Sequence, residues 1–205
     1  MSVFYETHRV LGVIIDNNLE WQEHISKVCS KVSRNLFLLK KLKWYVNADN
    51  RRKFFFAHCM SHINYASSVW SNAADCHIKR LNSLHRRGAK LICDDVDLPT
   101  TKKLQKLKML PLQEHLKSNI AILTFKTRKK LSPTYLDSFL LKPTTRYKSL
   151  RYRVPKGLVI YETSFSNAGS TVWNDLPTSL KLSNSLKSFK SLLLKHLVLN
   201  AYDNL

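Results

Sequence analysis

The chain has 205 residues, of which 44% are hydrophobic, and it contains only four glycines and six prolines. This length allows one large domain or two small ones, and the composition excludes intrinsic disorder and collagen-like character. Lysine and arginine number 34 against 14 aspartates and glutamates, which gives a net charge of +20. Residues 101–205 carry 19 basic and 5 acidic groups, whereas residues 1–100 carry 15 and 9. A charge of this size favours a polyanion as partner, and nucleic acid is the first candidate.

The sequence lacks the signals of secretion and of membrane insertion. No run approaches 18 apolar residues, so we expect neither a transmembrane helix nor a membrane partner. The first residues, Met-Ser-Val-Phe-Tyr-Glu, lack the charged-then-apolar layout of a signal peptide, and we expect a cytoplasmic or nuclear location. In a reducing compartment the four widely spaced cysteines are expected to be buried thiols: Cys29, Cys59, Cys76 and Cys93.

The first predicted element is a buried strand over residues 10–16, Val-Leu-Gly-Val-Ile-Ile-Asp, which is short, apolar and rich in branched residues. Asn17 and Asn18 end this strand and are candidates to cap the following helix. The apolar spacing then becomes helical from about Leu19 to Lys43. The stripe expected to be buried on this helix consists of Ile25, Val28, Cys29, Val32, Leu36 and Leu39.

Further helices are predicted over residues 51–66, 75–92, 112–130 and 185–199, with a loop over residues 93–103. Residues 142–157 are strongly basic and are predicted to be irregular or extended, and a small β-hairpin is predicted near 147–165. The predicted fold class is therefore mainly α, with one strand at the N-terminal end and one small hairpin.

Two predicted helices carry basic residues opposite their apolar stripes, a pattern that suits contact with phosphates. A solvated helix face is the alternative interpretation of each. In the basic region near residue 150, arginines alternate with Tyr147 and Tyr152, which favours stacking on unpaired bases. The candidate nucleic-acid-binding residues are Lys27, Lys31, Arg34 and Lys41, then Lys79, Arg86, Arg87 and Lys90, and finally Arg151 and Arg153.

The sequence Leu-Ile-Cys-Asp-Asp-Val-Asp at residues 91–97 is similar to the turn on which polymerases hold catalytic metal ions. Two-metal chemistry also needs a third carboxylate and a strand–turn–strand frame, but Asp94 and Asp95 follow a predicted helix. We therefore expect an acidic surface loop here, and a metal-dependent nuclease using this pair is a minor alternative.

Other catalytic or metal-binding patterns are weak. The cluster of His58, Cys59, His62, Cys76 and His77 lacks the paired spacing of zinc sites and the glutamate of a His-Glu-x-x-His motif, so we expect histidines within or between helices. No Gly-x-Ser-x-Gly elbow and no glycine-rich phosphate loop is present. We predict no catalytic residue and no cofactor in this chain.

A series of short motifs occurs in a fixed order along nearly the whole chain, from about residue 9 to 197. They are Leu11-Gly-Val-Ile-Ile-Asp16, Trp21-x-x-His24-Ile25, His62-Ile-Asn-Tyr-Ala66 with Val69-Trp70, Leu81-x-x-Leu84-His-Arg-Arg-Gly-Ala-Lys-Leu-Ile92, Leu110-Pro-Leu112, Pro133-x-Tyr135-Leu136, Trp173-Asn-Asp-Leu-Pro177 and Ser188-Phe-Lys190. In order and spacing, the series resembles the C-terminal part of reverse transcriptases of LINE-type (non-LTR, jockey-like) retrotransposons.

The resemblance implies a division of the chain and a role for each part. Residues 1–18 would be the remnant of the last palm strand, residues 19–98 a helical thumb-like region and residues 99–205 a basic post-thumb region. In this family the palm that holds Mg²⁺ lies upstream of the Leu-Gly-Val strand, so the resemblance implies a truncated enzyme that is inactive alone. Its partners would be an RNA–DNA hybrid or element RNA, and the palm and fingers of the enzyme.

Two functions are therefore expected from different classes. The first is a reverse-transcriptase fragment that binds template–primer nucleic acid through its basic helix faces. The alternative is a degenerate or domesticated helical protein-interaction module with no nucleic-acid role. The alternative is motivated by the strand at residues 10–16, which outside a palm sheet would leave an edge unpaired.

Overall fold

The computed structural model describes residues 7–139 and 165–202 of the chain. Within these ranges the protein is mainly α-helical and has one two-stranded antiparallel sheet, which confirms the predicted fold class. The hairpin predicted near 147–165 lies outside the described residues, except for Phe165, which begins a helix.

The elements are numbered here in chain order. They are β1 (Thr7–Val10), β2 (Val13–Asp16), α1 (Gln22–Leu42), α2 (Ala48–Phe54), a π-helical turn (Phe55–Met60), α3 (Ser61–Asn64), α4 (Ser67–Trp70), α5 (Asp75–Ile92), α6 (Thr100–Lys106), α7 (Leu112–Arg128), α8 (Tyr135–Phe139), α9 (Phe165–Asp175), α10 (Thr178–Lys181) and α11 (Leu186–Tyr202).

The sheet is a tight hairpin in which Val10 is opposite Val13 and Thr7 is opposite Asp16. Leu11 and Gly12 form the turn with φ angles of 48° and 89°, the left-handed conformation that two-residue hairpin turns require. The predicted strand over residues 10–16 is therefore wrong in its first half, because Val10 ends β1 and Leu11 is 87% exposed. We expected the strand over residues 10–16 to be unpaired, but its second half, β2, pairs with β1.

The segment between β2 and α1 is organised by the carboxylate of Asp16. Its oxygens accept hydrogen bonds from the backbone N–H groups of Asn18 (3.2 Å), Glu20 (2.8 Å) and Trp21 (2.8 Å). These bonds offset the cost of the left-handed conformations of Leu19 and Trp21. The prediction that Asn17 or Asn18 caps the helix is wrong: the N-cap position is Trp21, which makes no side-chain capping bond.

By compactness the described residues divide into two units, one within residues 1–116 and 196–205 and the other within residues 117–195. The three-part division at residues 18 and 98 stays a prediction. In the first unit, the predicted apolar stripe of α1 is buried in full and packs with the helical segment 48–64, α5 and Leu112.

The helical segment 48–64 begins at Asn47, whose side chain accepts the N–H of Asn50 at 2.9 Å. Its π-helical turn buries Phe55, Cys59 and Met60. The Phe55 ring also explains why residue 88 of α5 is a glycine, because a Cβ atom at position 88 would lie 2.2 Å from that ring.

The bounds of α5 agree with the predicted helix over residues 75–92. Helix α6 lies mostly within the predicted loop over residues 93–103 and was not foreseen. Its first residues carry no apolar period, although Leu104 is buried.

The second unit has an aromatic core formed by α7, α9 and α11. The rings of Phe125 and Phe189 stack with centroids 4.2 Å apart, and the Trp173 ring lies 6.2 Å from that of Phe189. The guanidinium of Arg128 lies 5.1 Å from the Trp173 ring centroid. In the described parts of both units, every helix is too short or too polar to span a bilayer.

Candidate nucleic-acid interface

The first predicted set of cations lies on one side of α1. Lys27, Lys31, Arg34 and Lys41 follow at intervals of four, three and seven residues, which keeps them on one face of a helix. Lys27 and Lys31 are half-buried, and Arg34 and Lys41 are exposed. Because the stripe from Ile25 to Leu39 is buried on the other side, this α1 basic face turns away from the core.

The second set lies on α5. All four of its cations are exposed, and the residues on the other side of the helix are buried, among them Leu81, His85 and Ile92. The α5 basic face consists of Lys79, Arg86, Arg87 and Lys90.

Arg51 connects the C-terminal ends of the two helices. Its guanidinium donates to the carbonyl oxygens of Lys43, just after α1, at 2.9 Å, and of Ile92, the last residue of α5, at 3.1 Å. Near the N-terminal ends, Arg80 donates to Ser26 at 3.3 Å. The two helices therefore run parallel, and since both bury their apolar sides in one core, both basic faces lie on the outside of the first unit.

None of these eight cations forms an ion pair with another described residue. The ion pairs among the described residues are Arg51–Asp94, Lys53–Asp49 and Lys106–Asp95, and they use other lysines and arginines. Lys41 Nζ lies 4.8 Å from the Phe37 ring, which leaves its charge uncompensated. Within the described part of the chain, both basic faces thus carry charge that no carboxylate neutralises. Arg151 and Arg153 lie outside the described residues.

The two aspartates of the predicted acidic loop are exposed, as expected, and each has its own cation. Asp94 accepts from Arg51 at 2.5 Å, and Asp95 accepts from Lys106 at 2.5 Å. The hydrogen bond from Lys106 lowers the pKa of the Asp95 carboxyl, and the same bond raises the pKa of Lys106. The pair therefore holds the segment after α5 in place through two separate contacts.

The cysteine and histidine cluster is spread over different environments. Cys59 is fully buried, Cys76 is exposed, and the His58 ring lies 4.5 Å from the Phe54 ring. Within the described ranges, no three histidine, cysteine or acidic side chains are grouped closely enough to hold a metal ion.

Two exposed aromatic residues beside the α1 basic face were missed. Trp44 and Tyr45 follow α1 directly and are 85% and 86% exposed, and Lys43 Nζ lies 5.9 Å from the Trp44 ring. The sequence Lys-Lys-Leu-Lys-Trp-Tyr at residues 40–45 could have indicated them, because two aromatic residues follow a basic run there.

A cleft of about 360 Å³ was also missed, and it adjoins the α1 basic face. It lies between the hairpin turn, the first half of α1 and the segment 61–65. Its lining includes Arg9, Lys27, Lys31 and two histidines, His24 and His62. No single stretch of sequence indicates this cleft, because its walls come from three separate segments.

Comparison of the chain with protein-family models, with curated proteins and with solved structures finds no match in any of the three.

Proposed function

We propose that this chain binds nucleic acid through the α1 and α5 basic faces, as the thumb and post-thumb part of a reverse transcriptase of the non-LTR type. The observation that carries the binding proposal is a set of eight cations on two parallel helices with a common core. None of them is paired with an acidic side chain in the described ranges. The ordered motifs of the sequence support the reverse-transcriptase origin.

The mechanism of binding would be electrostatic and mechanical. Lysines and arginines on a rigid helix face contact phosphates, and each contact releases counterions from the nucleic acid. Phosphate contacts fix the position of a duplex and carry no direct sequence information. Two parallel helices that are joined to each other at both ends are therefore suited to bind a template–primer duplex of any sequence. The catalytic Mg²⁺ would belong to the palm of such an enzyme.

Trp44 and Tyr45 would allow the protein to bind unpaired bases as well. An exposed aromatic ring beside cations offers a stacking surface for bases of any type. Both exposed rings follow α1 directly, and the Trp44 ring lies beside Lys43, so a single strand leaving the duplex at this end of α1 could stack on them.

The test is binding of the full chain to an RNA–DNA hybrid, measured by fluorescence anisotropy over a range of salt concentrations. With about six to eight phosphate contacts, the logarithm of the binding constant should fall with a slope on the order of −5 to −7 against the logarithm of salt concentration. A flat salt response would contradict the proposal. In a primer-extension assay this chain alone should incorporate no nucleotide.

The alternative, a helical protein-interaction module, is supported by one observation. Phe37 and Leu38 on α1 are 54% and 49% exposed, and adjacent apolar side chains on a surface can mark a protein contact. If this alternative holds, the chain should show no salt-dependent affinity for the hybrid.

A further inference from the structure

We propose that the cleft between the hairpin turn, α1 and the segment 61–65 is a binding site for a phosphate group. The inference deepens the proposed function, because a backbone phosphate of the bound nucleic acid would be one source of that group.

The charges that line the cleft are all of one sign. Arg9 reaches it from β1, and Lys27 and Lys31 reach it from consecutive turns of α1. Among the described residues, none of the ten that line the cleft is acidic, and none of the three cations is in an ion pair. Cations from two elements therefore converge on a space into which no described carboxylate reaches.

His24 supplies a second and independent observation. It lines the cleft and is only 4% exposed. Its Nδ1 accepts the backbone N–H of Ile14 at 3.2 Å, so in the neutral ring the proton is on Nε2. That Nε2 is buried and has no hydrogen-bond partner among the described residues. A buried donor without a partner costs free energy, and the His24 ring forms part of the cleft wall.

The electrostatic state of the histidines agrees with a positive cleft. Burial lowers the pKa of His24, and the charges of Lys27 and Lys31 lower it further. Burial also lowers the pKa of His62, assisted by Lys31, His58 and Arg34. At neutral pH, His24 is therefore a neutral N–H donor surrounded by permanent cations, a combination that suits the oxygens of a phosphate.

The hairpin turn that closes the cleft is held firmly. Tyr65, another lining residue, donates its hydroxyl hydrogen to the carbonyl oxygen of Leu11 at 2.5 Å. Trp70 Nε1 in turn donates to the carbonyl oxygen of Tyr65 at 3.1 Å. The walls are thus fixed to each other by hydrogen bonds, and the volume of about 360 Å³ is within the range of small-molecule sites.

The test is a titration of the full chain with inorganic phosphate, followed by NMR of the histidine ring resonances. Sodium chloride at equal ionic strength is the reference. We expect saturable shifts of the His24 and His62 signals with phosphate alone. The double variant K27Q/K31Q should weaken this binding by about tenfold or more, and K53Q, on α2 outside the cleft, should leave it unchanged.

His24→Gln is not the primary variant, since loss of the bond from Ile14 could affect folding by itself. Equal shifts in phosphate and chloride would overturn the site, and so would equal losses of phosphate affinity in K27Q/K31Q and K53Q. Addition of the RNA–DNA hybrid then identifies the source: release of bound phosphate assigns the cleft to a nucleic-acid phosphate, and its retention assigns it to a free phosphate compound. Because the phosphate titration contains no nucleic acid, its failure is distinct from failure of the proposed function.

Discussion

Arg51 Nη2 lies 2.5 Å from Asp94 Oδ2 although the two residues are 43 positions apart in the sequence, and the same nitrogen donates to the carbonyl oxygen of Ile92. The Arg51 side chain is 3% exposed, whereas that of Asp94 is 64% exposed. The buried guanidinium thus donates both to an exposed carboxylate and to backbone carbonyls at two helix ends, where a positive charge also interacts favourably with the helix dipoles. Its Nε has no partner among the described residues.

Replacement of Arg51 by alanine should lower the free energy of unfolding by about 2–4 kcal/mol, because it leaves the carbonyls of Lys43 and Ile92 without their buried donor. The matched variant Asp94→Ala should cost less than about 1 kcal/mol, since that carboxylate is largely exposed. Urea denaturation of both variants measures the difference. Equal losses would mean that the ion pair, and not the contact with the helix ends, is what stabilises this region.

Gly88→Ala should destabilise the protein by about 1–3 kcal/mol, because the added methyl group would overlap the Phe55 ring. Phe55→Leu creates space beside position 88, and by itself it also lowers the free energy of unfolding. The double variant should therefore lose less than the sum of the two single losses in a thermal or urea denaturation cycle. Strict additivity would show that Gly88 is needed for another reason.

Stability should fall on acidification, and His85 should contribute a large part of this loss. Burial lowers the pKa of His85 from 6.5 to about 4 in the folded state, with a smaller effect of His115. The stabilisation is complete above pH 6.5 and is lost as the pH falls toward 4, where only the unfolded chain binds the extra proton. The loss from this group is about 3 kcal/mol.

Burial likewise lowers the pKa values of His24 and His115, which adds to the same trend. His85→Leu should therefore show a smaller stability difference between pH 7.5 and pH 4.5 than the parent protein in urea denaturation. If the stability difference between pH 7.5 and pH 4.5 were the same in both proteins, the other histidines would account for the acid sensitivity.

One cysteine should react quickly with an alkylating reagent in the native protein. Cys76 is exposed, whereas Cys29, Cys59 and Cys93 are buried. Burial also raises the pKa of the Cys59 thiol to about 12, which suppresses its reactive thiolate. Mass spectrometry after a short exposure should find one label, and Cys76→Ser should remove it. Rapid labelling of a second cysteine would show that the core of the first unit opens readily.

Neutralisation of the α1 basic face should weaken binding to an RNA–DNA hybrid and reduce its salt dependence. The variant K27Q/K31Q/R34Q/K41Q removes four candidate phosphate contacts, so the slope of the salt plot should become smaller by about 3–4. Lys53→Gln is the control, since Lys53 lies on α2 and is paired with Asp49 at 2.8 Å. If the slope changed equally per removed charge in the fourfold variant and in Lys53→Gln, binding would depend only on the net charge of the protein.

The helices were predictable because their signal is local. The apolar positions of α1 repeat with the helical period from Ile25 to Leu39, and all of them are buried. The separation of basic and apolar residues on α5 was visible in the same way. The strand over residues 10–16 was misplaced because Leu11 adopts a left-handed conformation that is rare for its residue type.

The candidate site was less predictable because its contacts are distant in sequence. The cations of α1 and α5 could be selected from their spacing. The bonds by which Arg51 joins the ends of these helices reach residues 43, 92 and 94 and have no local pattern. The hydrogen bond from Ile14 to His24 likewise joins a strand to a helix. A periodicity argument treats each element alone and cannot find such pairs.

The π-helical turn Phe55–Met60 places one additional residue between α2 and α3. Deletion of a single residue from this turn would restore the ordinary winding and rotate everything after it by about 100° around the helix axis. Tyr65 would then face away from Leu11, and His62 would leave the wall that it shares with Lys31. The orientation of these two side chains toward the hairpin is thus set by an irregularity of the backbone several residues earlier, and neither residue could keep its present neighbours in a uniform helix.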